Sequence, residues 1–217
     1  NHFDGLGAHM QQLPVPVVLP LPHDIARSPE ICKLRAPIHA DEIVIRHGIP
    51  AAVPVRALRD HMTHASDART AAVYASIACS AGLVAVDELR SHLAGLVAIS
   101  GVVKAREAMA YVDDRVRSPP EAKLFQAMLL DAGLPRPLMN WPVYDSEGTY
   151  LGSPDGICVE LGLAGEYDSE DHDEDESRDV DAGRDVRFRA VGLTTFRIGK
   201  KTMADPRRRV ERIMRSV

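Results

Sequence analysis

The residues most able to do chemistry lie between 153 and 172. Ser153-Pro154-Asp155-Gly156 is followed, ten residues on, by Gly165-Glu166-Tyr167-Asp168-Ser169-Glu170-Asp171-His172. The stretch reads as a short strand, a tight link, a second strand and a carboxylate-rich loop. Asp155, Glu166, Asp168 and His172 would then gather at one end of a sheet. Hard oxygen ligands with one imidazole suit a divalent cation that activates water at a phosphodiester. The competing reading is an acidic, solvated loop that follows a strand.

The charge distribution around this stretch is uneven. The formal net charge is −5, which argues against a protein coated for non-specific DNA binding. From 160 to 181 nearly every charge is acidic, with Arg178 opposing. From Arg184 onward the sign reverses, through Arg187, Arg189, Arg197, Lys200, Lys201, Arg207, Arg208, Arg209, Arg212 and Arg215. An acidic pocket beside a basic flank suits an enzyme that holds cations and grips a polyanion. A salt-bridged surface with no ligand has the same composition.

The 217 residues are enough for one large domain or two small ones, and 45% hydrophobic with 26% charged residues is an ordinary globular composition. Three cysteines, Cys32, Cys79 and Cys158, are widely spaced, so neither a disulfide framework nor a cysteine zinc site is indicated. A reducing cytoplasm is the expected compartment. No apolar run approaches the ~20 residues of a membrane-spanning helix. The chain starts at Asn1 without a signal-peptide pattern and reads as a fragment.

The positioning elements follow from periodicity. Residues 1–30 are irregular and punctuated by proline. Residues 15–20, 31–34 and 42–46 read as strands, the first demoted to an edge by its prolines, and Gly48-Ile49-Pro50 reads as a turn. Pro54 opens a helix with Val55, Leu58 and Met62 inward and Arg56, Arg59 and Asp60 outward. Further helices are expected over 67–79, 86–93 and 102–112. His61, His64 and His92 fit no ligand spacing and read as surface or cap residues. A domain boundary is placed at 114–118, dividing an N-terminal domain, 1–114, from a C-terminal one, 115–217.

In the C-terminal part Ser118 is an N-cap, with Pro119 at the first helical position and Glu121 at the third, a capping box. The helix continues over 122–131 and Gly133 ends it. Residues 139–151 read as a hairpin turning at Gly148. Strands are expected at 157–159 and 161–167. A helix over 177–191 has Val180, Val186 and Val191 as its apolar residues. A strand follows at 193–198, then a basic helix from Asp205. The class is α+β, and the order from Ser118 is helix, three strands, helix, strand, helix.

That order, with Ser118-Pro119-Pro120-Glu121, Ala132-Gly133-Leu134-Pro135, Pro154-Asp155, Glu166-Tyr167-Asp168 through His172, and Gly192, resembles the restriction-endonuclease-like, or PD-(D/E)xK, superfamily. Within it the chain looks like the very-short-patch-repair-like endonuclease domains over about its last hundred residues. Gly48-Ile49-Pro50 and residues 54–60 look like the region that precedes such a domain in AbiEi-type proteins, without the winged helix. The resemblance implies Mg²⁺- or Mn²⁺-dependent hydrolysis of DNA in restriction, repair or phage defence. It makes Asp155 the central metal ligand, Glu166 the second and Glu121 a third from the preceding helix. Asp168 and His172 would complete the site, with His172 as base or proton shuttle. Arg184, Arg187, Arg207 and Arg208 are the candidate DNA contacts. Asp168 stands where the broad superfamily carries lysine, and Ser169 where relatives carry glycine. A non-cleaving, antitoxin-like DNA-binding protein on the same fold is the alternative. DNA is the implied partner, with assembly into a homo-oligomer left open.

Overall fold

The structure is a computed structural model. It describes residues 15–19, 28–168, 175–199 and Arg208, and the side chains of residues 15, 16, 32, 35, 168 and 175–182 lie outside that description. The chain is a mixed helix-and-strand, α+β protein. It divides into two compact units, Asn1–Arg56 and Ala57–Val217.

In the smaller unit β1 (Val15–Leu19) runs parallel to β2 (Ile31–Arg35). A separate hairpin joins β3 (Ile43–Arg46) to β4 (Ile49–Ala52). The turn expected at 48–50 falls one residue earlier. His47 and Gly48, with φ 51° and 79°, make the reversal, while Ile49 and Pro50 already pair with Arg46 and Ile45. Two left-handed residues match the twist of a tight hairpin.

The larger unit opens with helices. Helix α1 (Pro54–His64) begins in the smaller unit and continues into the larger. Its polar residues are not on an outer face as expected: Arg56, Arg59 and Asp60 are 1%, 6% and 7% exposed. They are buried as partners. Arg56 pairs with Glu42 and donates to the Pro37 carbonyl at 3.0 Å, and Arg59 binds Asp60 at 2.7 Å. Helix α2 (Ala68–Ser80) is capped by Asp67, which accepts from Thr70 N, and buries Ala71, Ala72 and Ala75. Helices α3 (Val86–Gly95) and α4 (Val102–Ala108) follow. The 114–118 link lies inside this larger unit, where Ser76 Oγ on α2 accepts from Asp113 N at 3.1 Å.

Helix α5 (Pro119–Gln126) starts at Ser118, which accepts from Glu121 N, and it ends in a π-helical turn over Ala127–Asp131. The wider turn carries Met128, fully buried, onto the sheet. That sheet has the order β10-β9-β8-β5: β5 (Leu138–Met139), β8 (Gly156–Cys158) and β9 (Leu163–Asp168) are antiparallel neighbours, and β10 (Thr194–Gly199) is parallel to β9. Residues 138–139 therefore belong to the main sheet. The hairpin itself is β6 (Val143–Tyr144) with β7 (Tyr150–Gly152), turning at Gly148 with φ 84°. Helix α6 (Asp175–Ala190) links β9 to β10, as a parallel pair requires.

Two faces of the sheet are built differently. Gly156, Gly165 and Phe196 are aligned across β8, β9 and β10. A Cβ on either glycine would lie 3.0–3.1 Å from Met128 Sδ, so the missing side chains let α5 and its π-turn press onto this face. Leu124, Met128, Leu134, Cys158, Leu163, Phe196 and Ile198 form its core. Helix α6 covers the opposite face. Its apolar anchor among the described side chains is Phe188, fully buried, rather than Val186 and Val191, which are 65% and 37% exposed; the side chain of Val180 lies outside the described residues. Phe188 packs over Gly152, where a Cβ would meet its ring at 3.1 Å.

Burial pushes the thiol of Cys79 up to about 11, so it is an inert core residue. No helix among the described residues is long and apolar enough to cross a membrane. Because Phe188 is the anchor of α6, Phe188→Ala should cost about 3–5 kcal/mol. The check is a lower urea midpoint with an unchanged slope.

Candidate functional site

The register of the sheet brings the sequence-selected acids together. Gly156 faces Gly165 across the antiparallel β8–β9 pair, so the next residues outward, Asp155 and Glu166, oppose each other. Opposed residues share a face, and strand alternation puts this pair on the side away from Met128. On the parallel side Glu166 is in register with Arg197. On the other edge Asn140 N donates to the Asp155 carbonyl at 3.1 Å, one step past the Met139–Gly156 pair. A polar row, Asn140, Asp155, Glu166 and Arg197, thus crosses four strands at one end of the sheet.

Helix α6 closes over this row with charges of its own. Arg184 Nη2 lies 2.9 Å from Glu166 Oε2. Arg197 binds Asp185 through both terminal guanidinium nitrogens, at 2.8 and 3.1 Å. Glu166 is buried, 8% exposed. Residues 184 and 185 come from one turn of α6 and meet neighbouring residues of β9 and β10, so the four charges alternate and neutralise one another. Arg197 and Asp185 were not singled out from sequence; a charge inside an otherwise β-branched strand was the available signal.

Asp155 is held differently. Its Oδ2 accepts from Tyr167 N at 2.7 Å, and among the described residues its Oδ1 accepts no hydrogen bond. Burial pushes its carboxyl above the ordinary range; the Tyr167 amide works against that, and the negative charge of Glu121 adds to it. Arg184 and Arg117 oppose the rise by their charge.

Glu121 is near enough to be felt by Asp155 but has other work. Its Oε1 accepts from Ser118 Oγ at 2.9 Å, and its Oε2 accepts from Arg117 N at 2.9 Å and Asn140 Nδ2 at 2.6 Å. Most of the roughly four lone-pair sites of a carboxylate are therefore taken. Asn140 is the clasp: with a left-handed φ of 51° it donates from Nδ2 to both Glu121 and the Arg115 carbonyl, at 3.0 Å for the latter, while its N–H holds Asp155. Asparagine tolerates that backbone better than most residues.

The remaining candidates divide. The backbone of Asp168 ends β9, in register with Gly199, and its side chain lies outside the described residues. His172 and Arg207 lie outside the described residues. Arg187 is exposed on α6, and Arg208 is exposed and helical. His61 and His64 place Nδ1 3.1 and 2.8 Å from the carbonyls of Ala57 and Asp60, one helical turn back. Among the described residues no group of three or more histidines, cysteines or acids could hold a metal ion. Two carboxylates of the site, Asp155 and Glu166, nonetheless offer the donor type a divalent cation takes, with an open Oδ1 on one and Arg184 in competition for the other.

Compared with known proteins, the chain matches no family model, no curated protein and no solved structure.

A carboxyl raised in the folded state binds its proton more tightly there than in the unfolded chain. Its contribution therefore favours folding below its folded pKa and is lost as pH rises through it. Asp155→Asn keeps the acceptor for Tyr167 N and removes the ionisation. It should be more stable than the parent chain at neutral pH, with the advantage shrinking as pH falls toward the ordinary carboxylate value of 3.8. Paired urea titrations across that range measure it.

Proposed function

We propose that the chain is a divalent-cation-dependent endonuclease that hydrolyses DNA phosphodiester bonds, with Asp155 and Glu166 as its acid pair. The observation that carries this reading is the β8–β9 register, which sets two partly or fully buried carboxylates opposite each other on one face. Burial of like charges side by side is costly unless a cation or a proton accompanies them. Mg²⁺ or Mn²⁺ would polarise the scissile phosphate and lower the pKa of a bound water.

The chain's own residues have distinct tasks in this reading. The Tyr167 amide fixes Asp155 through Oδ2 and leaves Oδ1 for the cation. Arg184 neutralises Glu166 in the resting protein, and with Arg187 it offers positive charge to a phosphate. Glu121 acts through its field and its cap rather than as a ligand. Asp168 and His172 complete the site, the imidazole moving a proton to or from the attacking water. Arg207 and Arg208 add contacts to the DNA backbone.

A second reading has an observation of its own. The Arg184–Glu166 and Arg197–Asp185 pairs already balance the row's charges. A DNA-binding or antitoxin-like protein that keeps the fold without cutting would need nothing more.

Nicking of supercoiled plasmid separates the two. With Mg²⁺ or Mn²⁺ the endonuclease converts it to open circle, EDTA stops the reaction, and Asp155→Asn or Glu166→Gln lowers the rate at least about 100-fold with the fold retained, since both act at the reacting centre. A folded protein that binds DNA in a salt-dependent way and cuts nothing under either cation supports the second reading instead.

A further inference from the structure

A second surface lies beside the acid pair, and its chemistry is aromatic and cationic. Tyr144 and Tyr150 face each other across the β6–β7 hairpin, with ring centroids 5.7 Å apart, and are 54% and 57% exposed. Trp141, three residues before Tyr144, is 41% exposed, and the guanidinium of Arg115 lies 4.0 Å from its ring centre. Three residues of extended chain span at most about 11 Å, so the three rings belong to one neighbourhood. A cross-strand tyrosine pair by itself stabilises a hairpin. That accounts for the pairing but not for both residues being more than half exposed.

The cations here differ from the others near the row. Arg115 and Arg117 flank buried Val116, both are exposed, and among the described residues neither has an ion pair. Arg184, Arg197 and Arg136 by contrast are bound to Glu166, Asp185 and Asp113. The charge of Arg117 reaches Asp155. From the rings the chain runs straight into the acids: Tyr150 OH lies 3.0 Å from Ser153 Oγ, two residues before Asp155. Acidic Asp145 and Glu147 sit at the hairpin tip, where Asp145 accepts from the Glu147 and Thr149 amides, and repel a polyanion from that end.

The geometry points to a binding track for unpaired, single-stranded DNA, in which bases stack on Tyr144, Tyr150 and Trp141 while Arg115 and Arg117 hold phosphates. Exposed rings interleaved with guanidinium groups that make no ion pair among the described residues are what a single strand recognises, because every base offers a π-face and every linkage a charge. A duplex keeps its bases stacked on each other, so their faces are closed to the rings and only groove edges and backbone are offered. The track rests on the acid-pair reading in one respect only: that reading makes the bound strand the substrate.

Trp141 is the single tryptophan of the chain and reports on the track directly. The probe is a thymidine oligonucleotide, alone or annealed to its adenine complement, titrated in EDTA so that cleavage plays no part. The single strand should quench Trp141 emission and bind at least about tenfold more tightly than the duplex. Replacing both rings, Tyr144→Leu with Tyr150→Leu, should weaken single-strand binding about tenfold or more, and Tyr144→Phe with Tyr150→Phe should restore it. Arg115→Gln and Arg117→Gln should each lower the slope of log affinity against log salt by about 0.7. Equal affinity for both forms, absence of quenching, or a leucine variant that binds like the parent would overturn the track. Quenching retained in a protein that never cuts DNA would leave the track standing and remove the endonuclease reading alone.

Discussion

The layer of charge between the sheet and α6 is the constraint on which the rest of this structure depends. Glu166 and Arg197 are neighbours in register on β9 and β10, and each is answered from α6, by Arg184 and Asp185. Charges placed between a helix and a sheet are costly unless paired, and these four, each partly exposed, are paired. Such a layer therefore specifies how α6 lies on the sheet as well as holding it there. Phe188 supplies the apolar contact one turn further on, over Gly152. The opposite face needs no such matching: glycines at 156 and 165 let Met128 and Phe196 close a purely apolar core. The sheet is thus apolar on one side and ionic at one end of the other.

That asymmetry also explains why Asp155 stands apart. It occupies the same polar row but, among the described residues, has no guanidinium bound to it; a backbone amide and the edge-strand clasp of Asn140 hold it in place. The row is consequently balanced at Glu166 and Arg197 and under-neutralised at Asp155, beside the negative charge of Glu121. In the proposed reading Asp155 is the member open to a cation, whereas Glu166 would have to exchange Arg184 for it.

Much of this was legible in the sequence where local signals are strong. The Ser118 cap, the Gly148 hairpin and the β8–β9 strands follow from local propensity, turn chemistry and capping, which act over a few residues. Asp155 and Glu166 stood out as acids against apolar strands, and the register then sets them opposite each other. The misread positions are those decided by tertiary partners. Arg56, Arg59 and Asp60 look like an outer face until their ion pairs are seen. Val186 and Val191 match the apolar content of α6, whereas its single phenylalanine, set among arginines, bears the contact. Met139 looks continuous with the hairpin because nothing local distinguishes pairing to β7 from pairing to β8. The exposed rings at 141, 144 and 150 read as strand residues, since β-propensity and surface recognition favour the same side chains.

The central claim is that Asp155 and Glu166 together take one divalent cation. Diffraction from crystals soaked in Mn²⁺, at a wavelength where manganese scatters anomalously, tests it most directly. The account requires an anomalous peak bonded to both carboxylates, with Arg184 drawn away from its 2.9 Å contact with Glu166. Density showing that contact intact, and no manganese between the two acids, would contradict it.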